Sequence, residues 1–320
     1  MQRYDVAALG ELLIDFTYNG ESPQGNPLME ANPGGAPCNV LAMLRKLGKK
    51  TAFIGKVGDD VFGRQLKHTL EELDIDVSNL LMDTEVRTTL AIVHTSPDGD
   101  RDFSFYRNPG ADMMLCKDEV NPELIKNAKI FHFGTLSSTH PKVKEATRYA
   151  IDVAKEHGLL VSFDPNLREP LWKDLEDAKR EIAYGLAKCD ILKISDNEVE
   201  FMTGLTDYEK AAHLLMEKYS NIKIMFVTLG KAGSMACYQG KIVFAEPYIQ
   251  ESTIETTGAG DTFGGCALNY ILEHGLEDLT EENLKELLCF ANAGASIITT
   301  RKGALKVMPE KDEILQFINA

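Results

Sequence analysis

The sequence predicts an α/β fold, a mostly parallel sheet covered by helices on both faces, and three features lead there. Short, unbroken apolar runs alternate with longer amphipathic stretches along most of the chain. The runs lack the in-and-out alternation of half-exposed strands, so they read as strands buried on both faces. The stretches between them repeat apolar residues at three- and four-residue spacing, the mark of a helix with one face on a core, and strand–helix alternation implies parallel strands.

Taken in order, Asp5–Leu9 reads as the first buried strand and Leu12–Tyr18 as a further short one. Asn39–Leu47 is a helix with Val40, Leu41, Leu44 and Leu47 on one face. Strand Thr51–Val57 and helix Gly63–Leu73 follow, then Thr89–Thr95 and Arg101–Arg107. These two are alternating, β-rich and joined by Ser-Pro-Asp-Gly-Asp, a hairpin signal, so a small β-sheet should project from the main body as a lid, from segments of about 12–34 and 86–111. The main rhythm resumes with strand Ile130–Phe133, helix Pro141–His157, and strands Leu159–Phe163 and Ile191–Ile194. Helix Asp207–Tyr219 and strand Ile224–Leu229 lead to two long helices, Ala259–Glu273 and Glu281–Thr300.

A chain of 320 residues suits a single large domain, 1–320. Lys and Arg number 34 against 49 Asp and Glu, a formal charge of −15 that repels a phosphate backbone and excludes nucleic acid as the expected partner. A nucleotide stays compatible, because nearby backbone dipoles and a metal ion outweigh the net field. Cys38, Cys116, Cys189, Cys237, Cys266 and Cys289 stand singly, without the spacing of a zinc site, and read as reduced thiols. Asp5, Glu11 and Asp15 interrupt any leader, and no run is long enough for a membrane helix, so the expected setting is the cytoplasm with no membrane partner.

The segment Glu255-Thr-Thr-Gly-Ala-Gly-Asp-Thr-Phe-Gly-Gly265 runs straight into a helical pattern. Gly258 and Gly260 let a tight turn aim backbone N–H groups at one point, and a helix start adds partial positive charge there. Asp261 sits at the mouth of this anion hole, where a carboxylate suits a base that takes a proton from an attacking hydroxyl. A capped helix start is the alternative for such a turn and stays open on this segment alone. A dinucleotide fingerprint would need Gly where Phe263 stands, and Gly48-Lys-Lys-Thr51 has Met43 in place of the P-loop's upstream Gly, so an NAD-dependent oxidoreductase and a P-loop ATPase are both excluded.

The string TTGAGDTFGG resembles the C-terminal signature of the ribokinase-like (PfkB) carbohydrate kinases. Asn32-Pro-Gly-Gly-Ala-Pro-Cys-Asn39 and Gly55-x-Val-Gly-Asp-Asp-x-Phe-Gly63 resemble the N-terminal one, and the likeness runs end to end. It implies a three-layer α/β/α ribokinase-like fold with a β-lid, ATP and Mg2+, with Asp261 as catalytic base and the backbone of Gly258, Ala259 and Gly260 around the transferring phosphoryl group. The family's Asn-x-x-Glu element matches Asn197-Glu-Val-Glu200, which implies that Asn197 and Glu200 organise magnesium and phosphate through water; a helix cap is the other reading of Asn197. Thr228, Gly230, Gly233 and Asn292 match nucleotide contacts. Glu255, Thr257, Ile298, Arg301 and Gly303 match a monovalent-cation site, usually K+, although Glu255 replaces the commoner Asp.

The resemblance also puts Asp15, Gly34, Gly35 and Asn39 around the sugar hydroxyls, residue types suited to vicinal diols and close backbone approach. Phe103-Ser-Phe-Tyr-Arg-Asn-Pro-Gly-Ala-Asp112 and Asp164-Pro-Asn-Leu-Arg-Glu-Pro-Leu-Trp172 look specific to fructokinase-type members. Phe105 would pack on the sugar's apolar face while Arg107 and Arg168 clamp its hydroxyls. Kinases of 2-keto-3-deoxygluconate share the two arginines and aminoimidazole riboside kinases share some of the wording, so both stand as alternatives to D-fructose. A non-catalytic sugar or nucleotide sensor is the rival from another class. Relatives often dimerise through their lids, which implies a homodimer.

Overall fold

A computed structural model describes residues 3–95 and 101–320 of the protein. Its first half runs β1 (Val6–Leu9), β2 (Leu13–Glu21), β3 (Pro27–Gly34), α1 (Ala36–Lys46), β4 (Thr51–Gly58), α2 (Val61–Glu72), β5 (Asp76–Asp83), β6 (Leu90–Thr95), β7 (Arg101–Tyr106), α3 (Pro122–Lys126), β8 (Ile130–Phe133) and α4 (Pro141–Glu156). The second half runs β9 (Leu160–Phe163), α5 (Leu175–Leu186), β10 (Ile191–Ser195), α6 (Asp196–Thr203), α7 (Tyr208–Lys218), β11 (Ile224–Thr228), β12 (Ser234–Tyr238), β13 (Lys241–Ala245), α8 (Ala259–His274), α9 (Glu281–Ile298) and α10 (Lys311–Ile318).

Among the described residues these strands form two sheets. The larger has the order β13-β12-β11-β10-β9-β8-β1-β4-β5 and the smaller β3-β2-β6-β7. Every pairing from β11 to β5 is parallel, while β12 and β13 add an antiparallel edge. Side chains on the parallel strands divide by parity between two cores. Val6 and Ala8 of β1 join α1, α8 and α9 on one face, whereas Ala7 and Leu9 join α4 on the other. Ile224 and Phe226 of β11 split from Met225 and Val227 in the same way. Both faces of the sheet are therefore apolar and covered, which is why these strands are unbroken apolar runs in the sequence. The fold is the expected three-layer α/β/α arrangement, and no helix among the described residues is long and apolar enough to cross a membrane.

The small sheet is mixed: β2 pairs antiparallel with β3 and parallel with β6, and β6 pairs antiparallel with β7. The expected hairpin is thus present as β6 and β7, while its turn at 96–100 lies outside the described residues. Elements absent from the sequence reading are β3, β5, β12, β13, α3, α5, α6 and α10. The Gly-Asp-Asp segment serves the fold: Asp60 accepts the N–H groups of Phe62 and Gly63 at the start of α2 and that of Thr88 at the foot of β6, at 3.1, 2.9 and 2.8 Å. One carboxylate therefore caps a helix and anchors the strand entering the small sheet.

Candidate active site

Beyond the C-terminal ends of the parallel strands, where open α/β sheets take ligands, lie two adjoining cavities. The larger, about 740 Å³, is walled by Thr228 at the end of β11, by Gly230 and Gly233 after it, and by Asn197, Asn292 and Ser296 on helices. The smaller, about 320 Å³, is walled by Leu13, Asp15, Gly35, Asn39, Phe105 and Leu136 among others. They meet at the start of α8.

That helix begins on Gly258, whose φ of 77° is a left-handed conformation open to glycine, and a Cβ there would lie 2.7 Å from Ala304 Cβ. The N–H of Ala259 is turned back onto the Thr256 carbonyl at 3.2 Å. That leaves the following first-turn N–H groups, those of Gly260 and Asp261, as the candidates for an anion hole at the positive end of a 16-residue helix.

Asp261 is 7% exposed, and its two oxygens accept from Asn39 Nδ2 at 2.8 Å and Asn166 Nδ2 at 3.3 Å. Asn39 reaches it because α1 and α8 touch closely: a Cβ on Gly265 would stand 2.7 Å from Met43 Cβ. Both signatures in the sequence thus meet at one carboxylate. Asn166 reaches it from the loop after β9 through a φ of 49°, a strained backbone for a non-glycine residue.

Three functional candidates were missed by sequence reasoning. Lys193 of β10 pairs with Asp164 at 3.0 Å beneath Gly260, where a Cβ would come within 2.9 Å of Nζ. Burial pushes the Asp164 carboxyl up to about 7 against the pull of Lys193, with Glu198 and Asp261 pushing the same way. Burial also opposes the Lys193 charge, yet Asp164, Glu198 and Asp261 together raise its pKa, so the ammonium stays charged. Its signal in the sequence was a lone lysine inside an apolar strand. The second is Glu11, which lines the smaller cavity and accepts the Ala36 N–H at 2.9 Å; burial pushes its carboxyl up to about 7. Below it, burial holds the His132 imidazole neutral, with its pKa down at about 3.

The third is Glu198, and it corrects the expectation for Glu200. Ser195 caps α6 and forms a reciprocal capping box with Glu198, so Glu198 is buried and accepts the N–H groups of Leu167 and Ser195 at 2.7 and 2.9 Å. Two positions further round a helix is a rotation of about 200°. Glu200 accordingly faces away from the cavities and accepts the Tyr208 hydroxyl at 2.6 Å. The string Ser-Asp-Asn-Glu was itself a capping signal.

Arg107 is the second correction. Its side chain is 2% exposed, and its fork is spent on Asp112 at 2.7 and 2.8 Å, Thr139 Oγ1 at 2.7 Å and the Leu136 carbonyl at 3.0 Å. It braces the wall of the smaller cavity and offers no clamp to a sugar. Asn292 lines the larger cavity, but its amide is occupied by Ser234, Ala245 and Glu246; one turn on, the buried Ser296 hydroxyl has no protein partner. Gly34 is set back from the cavity and leaves room for Asp15, whose Oδ2 would lie 2.3 Å from a Cβ there. Arg168 stands on both cavities.

Two stretches that carry candidate cation-site residues, 254–255 and 299–303, are drawn together. The N–H groups of Ile254 and Glu255 donate to the Thr299 carbonyl, and Gly303 N–H donates to Glu255 Oε1 at 2.7 Å. The Arg301 side chain is bound to the Val307 carbonyl and Glu313, so only its backbone oxygen could serve a cation.

The profile of the pfkB family carbohydrate kinases matches residues 3–311. Fructokinase-1 of Zea mays is 41% identical over 315 residues, 98% of this chain and 97% of that protein. A fructokinase from Xylella fastidiosa, solved with bound ATP, superposes with a TM-score of 0.88 at 27% identity over 98% of each chain. A fructokinase double mutant from Vibrio cholerae O395, solved with fructose, ADP and potassium ion, gives 0.87 at 26% identity over 99% of each. Two signatures converging on one buried carboxylate, the shared fold and the end-to-end match lead to one conclusion: the chain belongs to the pfkB family of carbohydrate kinases.

Proposed function

We propose that the protein transfers a phosphoryl group from ATP to the primary hydroxyl of a sugar, converting D-fructose to D-fructose 6-phosphate. The observation that carries this is the meeting of a nucleotide-sized and a sugar-sized cavity at Asp261 and the mouth of α8. Asp261 takes the hydroxyl proton, the sugar oxygen attacks the γ-phosphorus in line, and ADP leaves with the electrons of the broken P–O bond. The N–H groups of Gly260 and Asp261 receive the charge that develops on the phosphoryl oxygens. Closure of the small sheet would keep water from the reacting phosphorus.

Asp15, Glu11 and Asn39 would bind the sugar hydroxyls, with Phe105 against the ring. This favours fructose over a keto-acid: three carboxylates, Glu11, Asp15 and Asp261, line the smaller cavity, and Arg107 is withdrawn to Asp112. A sensor would have no use for a carboxylate held by two amides at the junction.

Magnesium would neutralise phosphate charge during transfer. Asn197 and Glu198 would meet it through water, since both Glu198 oxygens are spent on backbone N–H groups. Glu255 and Thr257, with the carbonyls of Ile298, Arg301 and Gly303, would hold K+ beside the helix mouth, and the contacts joining residues 254–255 to 299 and 303 support that set. The exposed Tyr18, Leu28, Met29 and Tyr106 of the small sheet support a homodimer through it, within a single 1–320 domain working in the cytoplasm.

The test is ADP release with Mg-ATP and K+ across fructose, 2-keto-3-deoxygluconate, ribose, aminoimidazole riboside and adenosine. Fructose is expected to lead. Preference for the keto-acid or the riboside would replace the substrate and keep the chemistry, and turnover of none would sink the kinase reading.

A further inference from the structure

Four residues face both cavities: Asn166, Arg168, Thr256 and Gly260. They mark the boundary that a transferred phosphoryl group has to cross, and Arg168 is the charged one of the four. The chain just before it is tied down residue by residue to four different places. Asp164 pairs with Lys193 of β10 at 3.0 Å, and the Pro165 carbonyl accepts the Thr135 N–H at 3.0 Å. Asn166 donates to Asp261 at 3.3 Å, and Leu167 N–H donates to Glu198 at 2.7 Å. Arg168 follows on this fixed base, half-buried and in no ion pair among the described residues.

We propose that Arg168 grips the transferring phosphoryl group at this boundary, acting on the reaction rather than on the resting sugar. The inference rests on the kinase reading and assigns a new role within that site. A neutral sugar offers Arg168 no charge, and the smaller cavity already supplies acceptors and amides for hydroxyls. A planar guanidinium fits two equatorial oxygens of the phosphoryl group in a fork. A cation on the boundary gains most when the group lies midway, which is the condition for speeding the step instead of tightening either substrate.

The experiment compares Arg168→Gln and Arg168→Lys with wild type in three readouts: kcat and KM, fructose binding, and binding of Mg-ADP with and without fluoroaluminate, a mimic of the group in transfer. The expected result for Gln is a kcat lower by about 10²–10³-fold, with the fluoroaluminate enhancement lost by a similar factor. Fructose and plain ADP should bind within about twofold of wild type, with Lys recovering part of the loss. A fructose KM raised more than about tenfold at unchanged kcat would overturn the proposal and assign Arg168 to the sugar. Equal losses with ADP and its fluoroaluminate complex would overturn it as well, in favour of a ground-state nucleotide contact. Should the Gln variant fail to fold, Lys reports the same ratio, and a wild-type ratio there refutes the proposal. If wild type turns over no sugar, the kinase reading falls separately, while the fluoroaluminate ratio still decides on Arg168.

Discussion

Replacing Arg107 by Met separates a brace from a sugar clamp. The Arg107–Asp112 pair is 2% exposed on both sides, and the guanidinium also holds Thr139 and the Leu136 carbonyl. Without it, Asp112 keeps the Thr89 hydroxyl but loses its counter-charge in a dry site. Removing one partner of such a pair costs about 3–5 kcal/mol. A chain of 320 residues unfolds with an entropy near 0.7 kcal/mol per kelvin, so the melting midpoint should fall by roughly 4–7 °C. Arg107→Met with Asp112→Leu should recover most of the loss, because no charge is left stranded. Calorimetry reads the midpoint, and initial rates read the fructose KM on the folded fraction. A midpoint within about 1 °C of wild type together with a tenfold higher KM would refute the reasoning and restore Arg107 as a sugar ligand.

Three further outcomes follow from the site. Asp261→Asn should cut turnover by about 10²–10⁴-fold while ATP binding by calorimetry stays near wild type, and near-normal turnover would remove Asp261 as the base. Gly34→Ala forces a Cβ to within 2.3 Å of Asp15 Oδ2, so the carboxylate must move; losing one charged hydrogen bond should raise the fructose KM about 10–100-fold and leave that for ATP unchanged. An unmoved fructose KM would detach Asp15 from the sugar. For Glu11, the folded-state pKa of about 7 lies above the ordinary 4.5, so stability held by the protonated form is complete below 4.5 and is lost as pH rises through 7. Glu11→Gln removes that titration, and the stability difference, variant minus wild type, should climb by up to roughly 3 kcal/mol from pH 4.5 to 8; parallel urea midpoints across that range would contradict it.

What was legible in the sequence followed burial. β1, β4, β8, β9, β10 and β11 are covered on both faces, so each is a continuous apolar run whose position could be read within a residue or two. β5 and β13 are edge strands with exposed polar positions, β3 carries proline near both ends, and β12 is only five residues long; none has enough periodicity to stand out. Around the candidate site, local backbone chemistry was readable: Gly258, Gly260 and Asp261 advertise the turn that opens α8. Residues whose role depends on facing were misjudged. Glu198 lines the larger cavity while Glu200 faces away from it, a difference of helix phase that the Ser195 cap could have shown. Arg107 was read as a ligand although Asp112, its partner, closes the same quoted string. Asn292 had the right position, but whether an amide faces a ligand or a neighbouring carbonyl depends on β13, which was not foreseen.

The bond between Asn39 and Asp261 joins positions 222 residues apart. At about 5–20 residues per second, a ribosome needs roughly 10–45 s between making the amide and making the carboxylate it holds. The sugar-side scaffold is therefore on hand well before the phosphate-side helix, and a nascent chain cannot consume ATP while it waits.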